Sequence, residues 1–372
     1  MDLSKNPIIY ITRDRERAEG VAENKYYSIA SLDGSKDTLE ILKESNISQD
    51  SSIIVFKNNI QIEELAKEKK LKLLNPSAII SEKIENKISQ IEWLGDMRNL
   101  LPSHEIIEAG NIEWNKKPFV LQWAHGHTGD GTIFIQKEDD LEIIKEKFPD
   151  RQARITEYIK GPVFTVNIVA NKKDILIGNI NYQITGILPF TENPFSTIGN
   201  DWSLTYTLLT QAHIEKIDAV SKDIALKMQK ENWKGIFGID IIYDEEKDKI
   251  YLLEINARQT ASVTYESQLQ GKVRQRGVRG ITIFEAHIEA LLEKPFSSSL
   301  IDINDGAQII KRVTVNYDNK PDTKKLEEAG YKIIKYNNTK INSDLIRIQS
   351  SRGIMEAHNK FNKRGKEILE LL

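Results

Sequence analysis

Apolar positions along this chain follow two periods, and they divide it into elements. Near the N-terminus, residues 7–12, 51–56 and 71–76 are short runs of Ile, Val and Leu that read as buried strands. Residues 63–70 carry the polar pattern of a surface helix. Strands alternating with helices predict a parallel α/β sheet. Residues 81–94 read as one helix with Ser81 as its N-cap. The runs 119–123 and 132–135 predict two strands, and the stretch from Arg154 an amphipathic strand ending at Gly161-Pro162. Residues 164–169 and 175–181 predict an antiparallel pair around Asn171-Lys172-Lys173. Ile214, Ile217, Val220, Ile224 and Met228 recur at helical spacing within 213–231, the stripe of a helix packed on a core. Residues 281–292 predict another helix. Beyond Pro295, strands are expected at 309–315 and 331–336 and helices at 324–329 and 352–372. The stretch 189–202 is polar, turn-rich and aromatic, and it is long for a plain connection, so it reads as a lid or substrate loop.

The most informative pattern is 235–243 followed by 249–258. These two apolar runs are joined by the charged turn Asp244-Glu245-Glu246-Lys247-Asp248 and predict a hairpin. Alternation puts Glu254, Asn256 and Arg258 on one face and Leu253, Ile255 and Ala257 on the other. Lys247 is equidistant from Asp240 and Glu254, so a turn centred there sets the two carboxylates opposite each other. Opposed like charges destabilise a strand pair, and a cation between them removes that cost. Two carboxylates and an amide oxygen, with neither His nor Cys, suit Mg²⁺. Asp240, Glu254 and Asn256 are therefore the expected metal ligands; the plainer alternative is an edge hairpin with a solvated polar face.

Two further stretches could meet anions. Residues 124–131 hold Gly126, Gly129 and Gly131 between two strands, where backbone N–H groups can turn toward phosphates, although an ordinary hairpin uses glycine as well. Residues 271–280 carry Lys272, Arg274, Arg276 and Arg279 between glycines, and the expected reading there is a solvated loop.

Composition narrows the classes. A chain of 372 residues has room for two or three domains, and 40% hydrophobic with 29% charged residues is ordinary for a soluble protein. With 52 basic and 55 acidic residues there is no basic footprint for nucleic acid or a membrane surface. The absence of cysteine excludes disulfides, thiolate metal sites and cysteine nucleophiles. No apolar run is long enough to span a membrane, and the first residues lack a signal-peptide core, so a cytoplasmic location is expected.

The pattern Gly238-Ile239-Asp240 … Leu253-Glu254-Ile255-Asn256-Ala257-Arg258 resembles the metal and catalytic signature of the ATP-grasp superfamily, and the resemblance runs over roughly residues 75–290. It implies an α/β and α+β chain: an N-terminal parallel α/β (pre-ATP-grasp) domain at 1–84, an ATP-grasp domain at 85–294 and a small C-terminal α+β domain at 295–372. Within the second, a nucleotide-covering subdomain is expected at 104–158 and a catalytic one at 159–294. The implied cofactors are ATP and Mg²⁺, with Mn²⁺ as a substitute. By resemblance, Lys87 and Gln122 would contact phosphates, and Gly126, Thr128, Gly129 and Gly131 would close over them. Thr156, Glu157, Tyr158 and Ile159 would hold adenine. Gln122 stands where the family usually has Lys, and Val163 where it usually has a ribose-binding Glu, which leaves Glu157 for the ribose. Arg258 and Asn256 are the implied catalytic residues.

The activity implied is a carboxylate–amine ligase that forms an acylphosphate and releases ADP and phosphate. The alternatives are a biotin-carboxylase-like carboxylase using bicarbonate and a nucleotide-binding protein without ligase activity. The implied partners are a small-molecule carboxylate and an amine, with no nucleic acid and no membrane; a homodimer is compatible with the pattern.

Overall fold

The computed structural model describes residues 8–19, 36–125, 131–315, 321–336 and 338–372. Its N-terminal part is a three-stranded parallel sheet of Ile9–Ile11, Ser52–Val55 and Lys72–Leu73, with Ser52–Val55 in the middle. Ile53, Ile54 and Val55 are buried on both faces, as expected of a parallel strand covered by helices. The helices Thr38–Glu44 and Ile60–Glu68 pack on each other and supply the core residues Ile41, Leu42, Ile62 and Ala66.

A four-stranded antiparallel sheet follows, ordered His104–Glu108, Gln152–Glu157, Phe119–Trp123, Thr132–Ile135, with the helix Glu138–Lys147 beside it. Most of the remaining strands join one nine-stranded antiparallel sheet. It begins with the hairpin Lys249–Asn256 and Gly235–Asp244 and continues through Val163–Ala170, Asn181–Thr185 and Thr197–Asp201. It then passes to Ala307–Arg312, Asp344–Ser350 and Lys332–Lys335, so strands from residues past 300 complete the sheet that holds the hairpin.

Strand alternation gives this sheet two unlike faces. Phe164, Val166, Ile168, Phe237, Ile239 and Ile241 pack against the helix Gln211–Lys230 through Ile217, Val220, Ile224 and Met228, the stripe read from the sequence. The opposite face carries Thr165, Asn167, Asp240, Glu254 and Asn256. Among the described residues, no helix is long and apolar enough to cross a membrane.

Several elements differ from expectation. The 81–94 segment is two helices, Ala78–Glu85 and Ser89–Leu94, and Ser81 lies inside the first, whose N-cap position is Ser77. The break is made by Asn86, whose Oδ1 accepts from the Ile88 and Ser89 amides. Lys87 therefore stands in the connection between helices. Residues 197–201 of the expected lid are a sheet strand, with Ile198 fully buried; only the preceding residues are irregular. Lys272 and Arg274 lie in the helix Val263–Gln275, and Arg274 is paired with Glu285 rather than solvated in a loop. The C-terminal helix is short, Lys363–Glu370, capped by Asn362, and a small hairpin of Met355–Ala357 and Lys360–Phe361 precedes it. Asp201 Oδ2 accepts from the Ile354 and Met355 amides, at 2.7 and 2.9 Å, and so fixes an extended backbone there.

Candidate functional site

Asp240 is directly opposite Glu254, as expected, and Asn256 opposite Gly238. The register is not that of a turn centred on Lys247, however: Ile241 pairs with Leu252 and Asp244 with Lys249. A bulge at Leu253 makes up the one-residue difference and sets Leu253, expected on the Ile255 face, at the cavity. On its other side Asp240 is paired with Thr165, so one row across three strands reads Glu254, Asp240, Thr165. Asp240 Oδ1 accepts from Thr165 Oγ1 and Gln183 Nε2, each at 2.7 Å, and Oδ2 accepts from Asn256 Nδ2 at 3.0 Å. Burial, and then the charge of Glu254, hold the Asp240 carboxyl above the usual carboxylate range. Burial alone would raise Glu254 as well, but Lys87, Arg258 and Arg154 outweigh it and hold that carboxyl low. Lys87 is 4% exposed and forms an ion pair with Glu254.

Asp240 and Glu254 of this row stand in one wall of a cavity of about 360 Å³ between the four-stranded and the large sheet. Lys87, Gln122, Thr156, Glu157, Tyr158, Ile159, Asp240 and Glu254, all singled out from the sequence, line it. The linker from 158 to 162 crosses beside the hairpin. A Cβ at Gly161 would stand 1.9 Å from the Tyr243 carbonyl oxygen, so glycine is required for so close a passage. Glu157 Oε1 accepts from Lys247 Nζ at 2.6 Å, so the carboxylate expected at the ribose is ion-paired to the hairpin turn. Val163 also lines the cavity. The ring of Tyr158 lies 4.4 Å from that of Phe134, which in turn lies 5.7 Å from Phe195 of the irregular 186–196 stretch.

Other candidates stand apart. Asn256 and Arg258 are outside the cavity wall: Asn256 donates to Asp240, and Arg258 is ion-paired to Glu85. Gly131 accepts the Trp123 amide and closes the 119–135 hairpin without reaching the cavity. Gly126, Thr128 and Gly129 lie outside the described residues. Reasoning from sequence missed Thr165, Gln183, Thr197, Glu85 and Arg154. Thr165 was legible in principle, because alternation along 163–170 puts Thr165 and Asn167 on the face opposite Phe164 and Val166.

Among the described residues, no three His, Cys, Asp or Glu side chains gather as a metal cluster. The donor set here is instead two opposed carboxylates and a neighbouring amide. Its chemistry fits a hard divalent cation, which would relieve the Asp240–Glu254 repulsion and take oxygen ligands only. Next to it, Lys87 and Gln122 are suited to a polyanion, and the Thr156–Ile159 backbone and Ile242 to a flat, mostly apolar ring.

Residues 84–262 match the model of the ATP-grasp domain. No curated protein sequence matches the chain. Among solved structures, the fold is similar to carboxyaminoimidazole ribonucleotide synthase from Aspergillus clavatus, solved with ATP, at 17% identity and TM-score 0.63, over 97% of this chain and 90% of that one. It is also similar to N5-carboxyaminoimidazole synthetase from Staphylococcus aureus, at 14% identity and TM-score 0.66, covering 98% and 96%. The L-amino acid ligase from Bacillus licheniformis matches at 13% identity and TM-score 0.63, covering 98% and 96%.

Proposed function

We propose that this chain, whose residues 84–262 belong to the ATP-grasp family, is an ATP-dependent ligase joining a carboxylate to an amine. The observation that carries the reading is the opposed pair Asp240 and Glu254 on the wall of a cavity that also presents Lys87, Gln122 and residues 156–159. ATP occupies that cavity, with adenine against Thr156, Glu157, Tyr158 and Ile159 and the phosphates toward Lys87 and Gln122. The described sheet at 104–157 covers it as the small nucleotide-binding unit. Asp240, Glu254 and Asn256 would hold Mg²⁺ or Mn²⁺, which when bound neutralises charge on the β- and γ-phosphates.

A carboxylate oxygen of the acid substrate attacks the γ-phosphorus, and the bond to the ADP oxygen breaks. The products of that step are an acylphosphate and ADP. The amine nitrogen then attacks the acyl carbon and expels phosphate, and the nitrogen gives up a proton to solvent. Arg258, steered by Glu85 and near enough to Glu254 to lower its pKa, donates to the developing negative charge. The N-terminal sheet presents the C-terminal ends of its strands to this region, where α/β sheets bind ligands, and it contributes to holding the acid.

A second reading, in which bicarbonate is the acid, is favoured by the carboxyaminoimidazole ribonucleotide synthases among the structural neighbours. The test is ADP and phosphate release with Mg-ATP, amine pools and either organic-acid pools or bicarbonate. Release that needs both an organic acid and an amine supports the ligase. Release that needs bicarbonate and an amine, with labelled carbon retained in product, moves the assignment to the second reading. Tight ATP binding without turnover on any mixture would reduce the protein to a nucleotide-binding one.

A further inference from the structure

Arg154 is a feature that the reading above does not use. It stands on the strand Gln152–Glu157, directly across from Gln122 on Phe119–Trp123. Its side chain belongs to the cavity wall although the residue is only 2% exposed. Nε and Nη2 both donate to Gln122 Oε1, at 3.0 and 2.6 Å, and Nη2 also donates to the Leu253 carbonyl at 3.1 Å. Nη1 finds no acceptor among the described residues.

Two consequences follow from elementary chemistry. First, this guanidinium is buried against neutral acceptors. Among the described residues no carboxylate lies within ion-pair distance of it, and Glu254, one residue beyond Leu253, acts on it only at longer range. A buried cation without a counter-ion is costly, and an anion in the adjoining cavity offsets that cost. Second, an amide has one acceptor oxygen and an NH₂ donor. With Oε1 occupied by two Arg154 N–H groups, Gln122 can offer the cavity only its NH₂. That NH₂ has a single long contact, 3.4 Å to Thr132 Oγ1, and keeps a donor to give.

We infer that Arg154 is a positioning residue for a nucleoside triphosphate: it turns Gln122 into a donor-only group and places behind it a positive charge with no ion-pair partner among the described residues, so that the pair binds the polyphosphate end. The inference rests on the nucleotide reading of the cavity and adds to it the group that supplies charge at this wall. Selectivity is the signature. The phosphates gain from the pair and the nucleoside does not.

The experiment is calorimetric titration of the full-length protein with Mg-ATP, Mg-ADP, AMP and adenosine. In Gln122→Glu the new carboxylate pairs with Arg154 in place. The fold and melting temperature are kept, while the donor and the net charge disappear. ATP affinity is expected to fall about 10- to 100-fold, with adenosine affinity unchanged. Arg154→Met is expected to weaken ATP in the same selective way. Adding Gln122→Lys to Arg154→Met is expected to restore ATP binding, which a purely structural role for Arg154 would not predict. Wild-type affinity for ATP in Gln122→Glu, or parallel loss of ATP and adenosine binding, overturns the inference and leaves the nucleotide site standing. Failure of the wild-type protein to bind any nucleotide overturns both.

Discussion

The Arg258 guanidinium is ion-paired to Glu85, and the same buried carboxylate takes Lys57 at 2.7 Å. One side chain thus ties together the end of the hairpin Gly235–Asp244 and Lys249–Asn256, the helix Ala78–Glu85 and the loop after the strand Ser52–Val55. Burial alone would raise the Glu85 pKa, but Arg258 and Lys57 bring it below the usual carboxylate value. Removing this charge leaves two cations around a neutral amide. Glu85→Gln is expected to lower kcat by about tenfold or more while changing the ATP Kd by less than about twofold, because the hydrogen bonds lost are charge-assisted and lie outside the nucleotide cavity. Steady-state ADP release beside a binding titration separates the two effects. An unchanged kcat would mean that Glu85 only supports the fold.

Glu254 carries both the Lys87 ion pair and the opposition to Asp240. A ligand at 100 times its Kd stabilises the native state by about 2.7 kcal/mol. Wild-type protein with Mg-ATP at that excess is expected to show this stabilisation, and chelation of the metal is expected to reduce it. In Glu254→Gln the difference between ATP with and without Mg²⁺ should vanish, and turnover should fall at least about 100-fold. A scanning-fluorimetry series over metal and nucleotide reads the first, and ADP release the second. A metal effect of undiminished size in the variant would move the cation away from the hairpin.

Phe195 reaches from the 186–196 stretch to Phe134 of the four-stranded sheet, and Phe134 meets Tyr158 of the linker. This aromatic chain spans the cavity between the two sheets. Aromatic pairs contribute about 0.5–1.5 kcal/mol beyond their burial. Phe195→Ala is expected to raise the Kd for ATP by roughly 2- to 10-fold, mainly through faster dissociation, with a small change in melting temperature. Stopped-flow release of a fluorescent ATP analogue measures it. Equal off-rates in variant and wild type would refute this role for Phe195.

Glu266 is fully buried, and desolvation pushes its pKa up to about 7 despite hydrogen bonds from Asn167 and Asn179. Its folded pKa lies above the unfolded one, so its contribution is fully present below about pH 4.5 and is lost as pH rises toward 7. His287 has the opposite sign: burial lowers its pKa to about 3, so stability is lost as pH falls below about 6.5. Stability to denaturant is expected to be greatest between these limbs, in mildly acidic solution. Glu266→Gln should remove the high-pH limb, worth on the order of 3 kcal/mol between pH 4.5 and 7. A variant whose pH profile parallels the wild type would show that Glu266 ionises freely.

The hairpin and the opposition of Asp240 to Glu254 were readable from two apolar runs joined by a charged turn, but the register in detail was not. The turn-side pairs, Ile241 with Leu252 and Asp244 with Lys249, would by themselves set Asp240 opposite Leu253, and a bulge at Leu253 that no sequence pattern marks restores the pairing with Glu254. That Thr156, Glu157, Tyr158 and Ile159 line one cavity was readable only through resemblance, since nothing in their composition marks them. The 81–94 break was hidden because Ile84, Ile88 and Ile91 keep helical spacing across it, and only the Asn86 side chain, bonded to two amides, reveals it. Arg154 was passed over because an arginine in an amphipathic strand normally reaches solvent. Its burial depends on Gln122, 32 positions earlier, and that is a tertiary fact. The 352–372 helix was overextended because Asp201, far away in sequence, captures the amides that a helix would have used.

The shared large sheet constrains how this protein can be recombined. Strand Thr197–Asp201 pairs with Ala307–Arg312, so the C-terminal residues are not a detachable module. A chimera that exchanges everything after residue 294 with a relative must inherit a strand matching Gly199, Asn200 and Asp201 in register, or leave an open edge beside the cavity. Crossovers placed in the linkers flanking the four-stranded sheet avoid this problem. Nucleotide preference should therefore transplant between homologues more readily than the C-terminal third.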